Sequence, residues 1–201
     1  MTEQTAMSSG MAARARPEII AMKGYVSARS LVESGSSTVF LDANECPYEP
    51  FVGASGLARY PMQQPPELLA VVCDWLDLSS RNVSIMRGAD EAIDSLMRTF
   101  CVPAVDNIIV CPPTFAMYRQ SAILHGVEVR EAPLAEGFAL DVDGVLAAVD
   151  DNTKLVFVCS PNNPTANLMD RQAVERLCLS LAGRALVVVD ETYIEYAGVD
   201  S

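Results

Sequence analysis

A run of apolar residues, Leu186 to Val189, ends at Asp190 in the stretch VVVDETYIEY. A carboxylate at the tip of a buried strand costs several kcal/mol unless a cation or strong hydrogen-bond donors meet it. Lys23 and Lys154 are the only lysines. A bound ligand cation is therefore one candidate partner, and a backbone or arginine partner within the core is the other. RGADEAIDSL places Gly88 and Ala89 at a strand-to-helix turn, where the free N–H groups of a helix start can hold an anion such as phosphate and glycine lets it come close. The same residues also suit an ordinary turn ahead of an Asp-capped helix. CSPNNPT sets two asparagines between two prolines, a rigid turn able to present uncharged amide donors, or one in which asparagine serves only the backbone conformation. Phe115 and Tyr118 of PPTFAMY could lay an aromatic face on a flat ring or fill the core. The single histidine, His125, precedes Gly126 and reads as a helix cap with no catalytic role.

Positioning these groups requires elements that deliver them to one place. Leu68, Leu69, Val72, Trp75 and Leu76 recur at helical spacing behind two prolines, a helix start. From there strands and helices alternate: strand NVSIMR, a helix from Asp90 with Ile93, Leu96, Met97 and Phe100 on one face, and strand NIIVC. A helix after PPTF, strand GVEVRE, a short helix around VDGVLAAV, strand KLVFVC, helix DRQAVERLCLSLA and strand ALVVVD complete the order. This pattern predicts an α/β fold with a mostly parallel sheet covered by helices. Ligands of such sheets bind beyond the carboxyl ends of the strands, which is where RGADE, CSPNNPT and DETY fall. Residues 1–60 lack sustained periodicity and read as an N-terminal arm and lead-in, and the alternating elements of 61–201 read as the first part of a larger domain.

Composition narrows the function classes. The chain has 14 Lys and Arg against 26 Asp and Glu, a formal charge of -12, which disfavours nucleic acid and anionic membrane surfaces as partners. No apolar run is long enough to span a membrane as a helix. The six cysteines, Cys46, Cys73, Cys101, Cys111, Cys159 and Cys178, form no C-x-x-C pair. With one histidine, they argue against a zinc site and for free thiols in a reducing compartment. Absence of G-x-S-x-G, Walker A and G-x-G-x-x-G removes the common serine hydrolases, P-loop enzymes and dinucleotide folds.

Six stretches in order, LDANECPY, RYP, RGADEAID, CPPTFAMY, VCSPNNPT and VVVDETYIEY, resemble the motifs of the fold type I pyridoxal-phosphate aminotransferases. They are more closely similar to the histidinol-phosphate aminotransferases, from about Tyr25 to Tyr196. The resemblance implies a three-layer α/β/α large domain and pyridoxal 5'-phosphate as cofactor. By it, Asp190 pairs with the protonated pyridine nitrogen, which keeps the ring an electron sink. Gly88, Ala89 and Asp90 start the phosphate cup, Phe115 stacks on the ring, and Asn163 and Tyr193 bond its phenolic oxygen. Tyr60 corresponds to a residue that reaches the neighbouring subunit's cofactor, which implies a homodimer. Tyr25 and Asn44 correspond to positions against the substrate. Cys46 and Ala166 depart from the family's NEN and PTG, and loss of that glycine is expected to stiffen the turn after Asn163.

The implied reaction exchanges an amino group between L-histidinol phosphate and 2-oxoglutarate, giving imidazole-acetol phosphate and L-glutamate, reversibly, in cytoplasmic histidine biosynthesis. Its partners are these small molecules, without nucleic acid or membrane. The family's catalytic Schiff-base lysine corresponds to a position beyond Ser201, and neither Lys23 nor Lys154 matches it. The expectation is an N-terminal fragment, without the rest of the large domain or the small domain, that is inactive alone. Two other readings are a related fold type I enzyme such as a phospho-amino-acid decarboxylase, and a noncatalytic remnant that binds the cofactor or dimerises.

Overall fold

The computed structural model describes residues 10–25, 39, 41, 43–53, 56–62 and 64–199. The chain divides into two compact units, Met1–Met22 with Arg87–Ser201, and Lys23–Met86. This division does not fall at the expected boundary near residue 60. Hydrogen bonds within each unit are consistent with this division. The backbone N–H of Arg16, ahead of helix α1 (Pro17–Ala21), donates to the Thr99 carbonyl at 2.9 Å, which joins the lead-in to the first unit. In the second unit, the side chain of Gln64 brackets Ile85, accepting from its N–H at 2.7 Å and donating to its carbonyl at 3.1 Å.

That bracket also corrects one predicted strand. NVSIMR forms no strand: Ser80–Asn82 is a 3-10 turn, and residues 83–86 are irregular. The amide of Gln64 occupies both backbone groups of Ile85 that a neighbouring strand would need. The helix before it, α2 (Pro66–Leu76), forms as predicted behind Pro65, and ends where Asp77 turns into the left-handed region.

The first unit holds a four-stranded sheet of β1 (Asn107–Val110), β2 (Glu128–Glu131), β3 (Thr153–Cys159) and β4 (Leu186–Asp190), in the order β2-β1-β3-β4. All three pairings are parallel. Side chains alternate between two cores, as the period of two in a strand requires. Ile108, Val110, Leu155, Phe157 and Cys159 pack with α3 (Ala89–Phe100) and α4 (Met117–Leu124) through Ile93, Met97, Tyr118 and Ala122. Ile109, Val156 and Val158 pack on the other face with α5 (Val142–Ala148) and α6 (Arg171–Leu181) through Val145, Leu177 and Leu181. The three-layer α/β/α expectation is met. β3 is buried almost throughout, whereas β4 is only half-buried along its length, because it lies at the edge of this sheet. The opposite edge, β2, carries Glu128, Arg130 and Glu131, charges that deter further strand pairing.

His125 ends α4 as its C-cap residue, as expected, and its Nε2 also lies 2.6 Å from Asp94 Oδ1 on α3. That bond, followed by the one from Arg98, holds the Asp94 carboxyl below its ordinary range. The pair ties together the two helices on the face that matters below.

The amino end of the sheet is locked by a polar cluster. Buried Asn107 donates to Asp150 Oδ1 at 2.8 Å and accepts from the Thr153 hydroxyl at 2.8 Å, while Arg130 Nη2 sits 2.6 Å from Asp150 Oδ2. The Asn107 bond leads the interactions that lower the Asp150 carboxyl to about 2. A carboxyl whose folded value is depressed contributes stability that is fully present above its unfolded value, about 4, and is lost as pH falls through the folded one. Asp150→Asn should therefore flatten the fall of the thermal midpoint between about pH 4 and pH 2. An acid limb as steep as the parent's would contradict this assignment.

Candidate active site

The carboxyl ends of β1, β3 and β4 face one edge, and the strand order places the switch between outward-running connections at β1 and β3, where ligands of open α/β sheets bind. Two loops meet there. After β1, the Thr114 hydroxyl donates to Asn162 Oδ1 at 3.0 Å, and Asn162 Nδ2 returns a bond to the Pro113 carbonyl at 2.8 Å. Asn162 is buried and also donates to Thr165 Oγ1 at 2.6 Å. The two asparagines thus have different roles. Asn162 holds the turn, and Asn163, whose side chain makes no hydrogen bond among the described residues, lines the open space beyond it.

Asp190 stands opposite Cys159 in the β3–β4 register, and its carbonyl accepts from Ser160 N–H at 2.9 Å. Two residues beyond Val188, its side chain falls on the α3/α4 face. Oδ2 accepts from the Tyr118 hydroxyl at 2.6 Å, while Oδ1 accepts from the Thr192 hydroxyl at 2.6 Å and the Thr192 N–H at 3.1 Å. Its protein partners are therefore one backbone amide and two hydroxyls, with no ion pair among the described residues. The arginine partner considered above is not found. Tyr118 is fully buried, stacked on Phe157 at 4.6 Å and 15°, and meets the edge of Phe115 at 5.6 Å and 82°. Burial first, then its bond to Asp190, pushes the phenol far above its ordinary range. It stays a neutral donor.

α3 begins at Gly88, whose φ of 83° is in the region favoured by glycine. No side chain caps this helix, so the Asp-capped alternative fails: Asp90 is exposed. Glu91 instead reaches back to Arg87, accepting from its N–H at 2.6 Å and its guanidinium at 2.8 Å. The first-turn amides are left as anion donors at the positive end of a 12-residue helix.

Gly88, Ala89, Asp90, Phe115, Asn163, Asp190 and Tyr193 line one cavity of about 200 Å³, together with Arg87, Cys159 and Thr192. Asn163 and Tyr193 also line an adjoining hollow of about 630 Å³ with Pro164, Leu168 and Tyr196. Seven residues from separate stretches of sequence thus converge. Tyr25, Asn44 and Tyr60 belong to the other unit, Lys23–Met86, and each is exposed there. Lys154 pairs with Asp106 at 3.5 Å near the amino end of β3, roughly 16 Å along the strand from Cys159 at 3.3 Å per residue. Sequence reasoning missed Thr192 and left Tyr118 undecided. The signal available was spacing: Tyr118 follows Phe115 by about one helical turn.

The donor set suits a flat, cationic, nitrogen-containing ring that carries an anion. It offers a carboxylate with fixed donors, an uncapped helix start, an aromatic wall and a neutral amide. Pyridoxal 5'-phosphate has this make-up.

Comparison with known proteins agrees with the class that the fold and cavity define. Residues 39–201 match the family aminotransferase class I and II, and the chain belongs to that family. It is 43% identical over 183 residues to histidinol-phosphate aminotransferase 1 of Haemophilus influenzae (strain 86-028NP), covering 90% of this chain and 51% of that protein. It is 42% identical over 184 residues to histidinol-phosphate aminotransferase of Aliivibrio fischeri (strain MJ11), covering 90% and 52%. The chain spans about half the length of these curated relatives. Among solved structures, histidinol-phosphate aminotransferase from Clostridium acetobutylicum aligns with a TM-score of 0.61 at 24% identity, over 72% of this chain and 42% of that one. Tyrosine aminotransferase from Leishmania infantum gives 0.61 at 27%, over 68% and 41%.

Ala166, where the family pattern has glycine, adopts φ 59° and donates its N–H to Asn162 O at 2.7 Å. An L-residue with a Cβ is strained in this region by about 1–2 kcal/mol, partly offset because glycine gains more freedom on unfolding. Ala166→Gly should raise stability by up to about 1 kcal/mol, read as a higher denaturant midpoint with unchanged slope. A lower midpoint would show that the strain is absent.

Proposed function

We propose that this chain carries the cofactor-gripping part of a histidinol-phosphate aminotransferase. The whole enzyme would move the amino group of L-histidinol phosphate to 2-oxoglutarate, reversibly, using pyridoxal 5'-phosphate. The observation that carries the reading is the cavity in which the Asp190 carboxylate, held only by neutral donors, faces space shared with the uncapped start of α3. The 43% identity to a relative with that name supports the substrate.

In this reading the backbone N–H groups at Gly88, Ala89 and Asp90 bind the phosphate group, and the phenyl ring of Phe115 stacks on the pyridine. Asn163 and Tyr193 donate to the phenolic oxygen. Asp190 retains a proton at the ring nitrogen through charge pairing in a half-buried setting. When bound, the cofactor supplies an electron sink for negative charge at the substrate's α carbon. Tyr60 is assigned to the cofactor phosphate of a second subunit in a homodimer, and Tyr25 and Asn44 to the substrate. The enzyme is assigned to the cytoplasm. The proton-shuttling lysine of the family is not assigned to Lys23 or Lys154.

The test is transamination by the full-length protein. It should convert L-histidinol phosphate and 2-oxoglutarate to L-glutamate, and Asp190→Asn should lower kcat by about a hundredfold or more, the scale of losing one preorganised electrostatic group. Release of carbon dioxide from a phosphorylated amino acid, without glutamate formation, would replace this reading by the decarboxylase. Retention of full transamination by Asp190→Asn would sink the site assignment.

A further inference from the structure

An ionised carboxylate offers about four acceptor positions, two on each oxygen. In Asp190 the Thr192 hydroxyl and N–H take both positions on Oδ1, and the Tyr118 hydroxyl takes one on Oδ2. One position remains, on the oxygen that Tyr118 already holds. Asp190 lines the cavity with Thr192, whereas Tyr118 is fully buried behind it.

We infer that Tyr118 and Thr192 form a clamp that positions Asp190, fixing the plane of its carboxylate so that the last acceptor site on Oδ2 is the one presented to a ligand N–H. Tyr118 is the principal arm. Its ring is fully buried, stacked on Phe157 and in T-shaped contact with Phe115, so its hydroxyl has little freedom to follow a rotating carboxylate. The neighbouring Cys159 thiol donates to the Pro161 carbonyl at 3.4 Å and also interacts with the Tyr118 hydroxyl, whose 2.6 Å bond to Asp190 is the one that reaches the carboxylate. α4 delivers Tyr118 and is anchored to α3 by His125 and Asp94. The carboxylate and the candidate anion cup are therefore set by one helix pair.

Tyr118 is a positioning residue acting through Asp190, and this rests on the cofactor reading above. The pyridoxal 5'-phosphate affinity of the full-length protein should be measured by fluorescence quenching for the parent, Tyr118→Phe, Asp190→Asn and the double variant. Phenylalanine keeps the stack and removes only the donor. Tyr118→Phe should weaken binding about tenfold, the low end of losses seen when a partner that orients a ligating group is removed. In the Asp190→Asn background the same change should cost nothing more, because its route is already cut. An equal loss in both backgrounds, or no loss in either, overturns the clamp. Parent-like affinity in Asp190→Asn would instead overturn the cofactor reading itself. Thr192→Val, at an exposed position, supplies the parallel test should Tyr118→Phe not fold. It should weaken binding in the parent background and leave Asp190→Asn unchanged, and additivity there would likewise reject the clamp.

Discussion

The register of β3 against β4 is the constraint from which the rest of the site follows. Cys159 pairs with Asp190 and Leu155 with Leu186, so Leu186, Val188 and Asp190 share the face covered by α3 and α4. A slip of one residue would turn the carboxylate toward α5 and α6, into an apolar core without a phenol to meet it. The register is enforced by apolar burial. Val156 and Val158 must enter one core while Leu155 and Phe157 enter the other, and a shifted strand would put each set into the core shaped for the other. Hydrophobic packing that does no chemistry thereby decides where the charged group points.

The unit manages charge at its two ends differently. At the amino end of the sheet, Asp106, Asp150, Lys154 and Arg130 answer one another with ion pairs. At the carboxyl end, Asp190 is met by hydroxyls and an amide, the α3 start is uncapped, and Arg87 is paired with Glu91. Neutral donors orient a carboxylate without cancelling its charge, and backbone N–H groups attract an anion without adding a cation. An acidic chain, with a formal charge of -12, can in this way offer an anion site that owes nothing to lysine.

Much of this order was legible in the residues because local and global signals agree. Alternating apolar runs defined β1, β2, β3 and β4, and the spacing of Ile93, Leu96, Met97 and Phe100 defined the buried face of α3. The convergence of PPTF, CSPNNPT and DETY follows from strand ends lying along one edge, whereas RGADE joins them as the start of α3 rather than as the end of a strand. What failed did so through single side chains. NVSIMR has the composition of a strand, but the amide of Gln64 consumes the backbone groups of Ile85. Which asparagine faces the cavity depended on the long-range bond between Asn162 and Pro113. The partner of Asp190 was equally hidden, since Tyr118 lies 72 residues away in sequence and no local pattern distinguishes a core tyrosine from one whose hydroxyl has a task. Ala166 was recognised as a departure, but its left-handed backbone required the folded turn.

The central claim, that Asp190 is built to hold a protonated ring nitrogen, is most directly tested by 15N NMR of the full-length protein loaded with pyridoxal 5'-phosphate labelled at the pyridine nitrogen. The expected result is a pyridinium shift at neutral pH that moves toward the free pyridine value in Asp190→Asn. A free pyridine shift in the parent, or a pyridinium shift that survives the substitution, would contradict it.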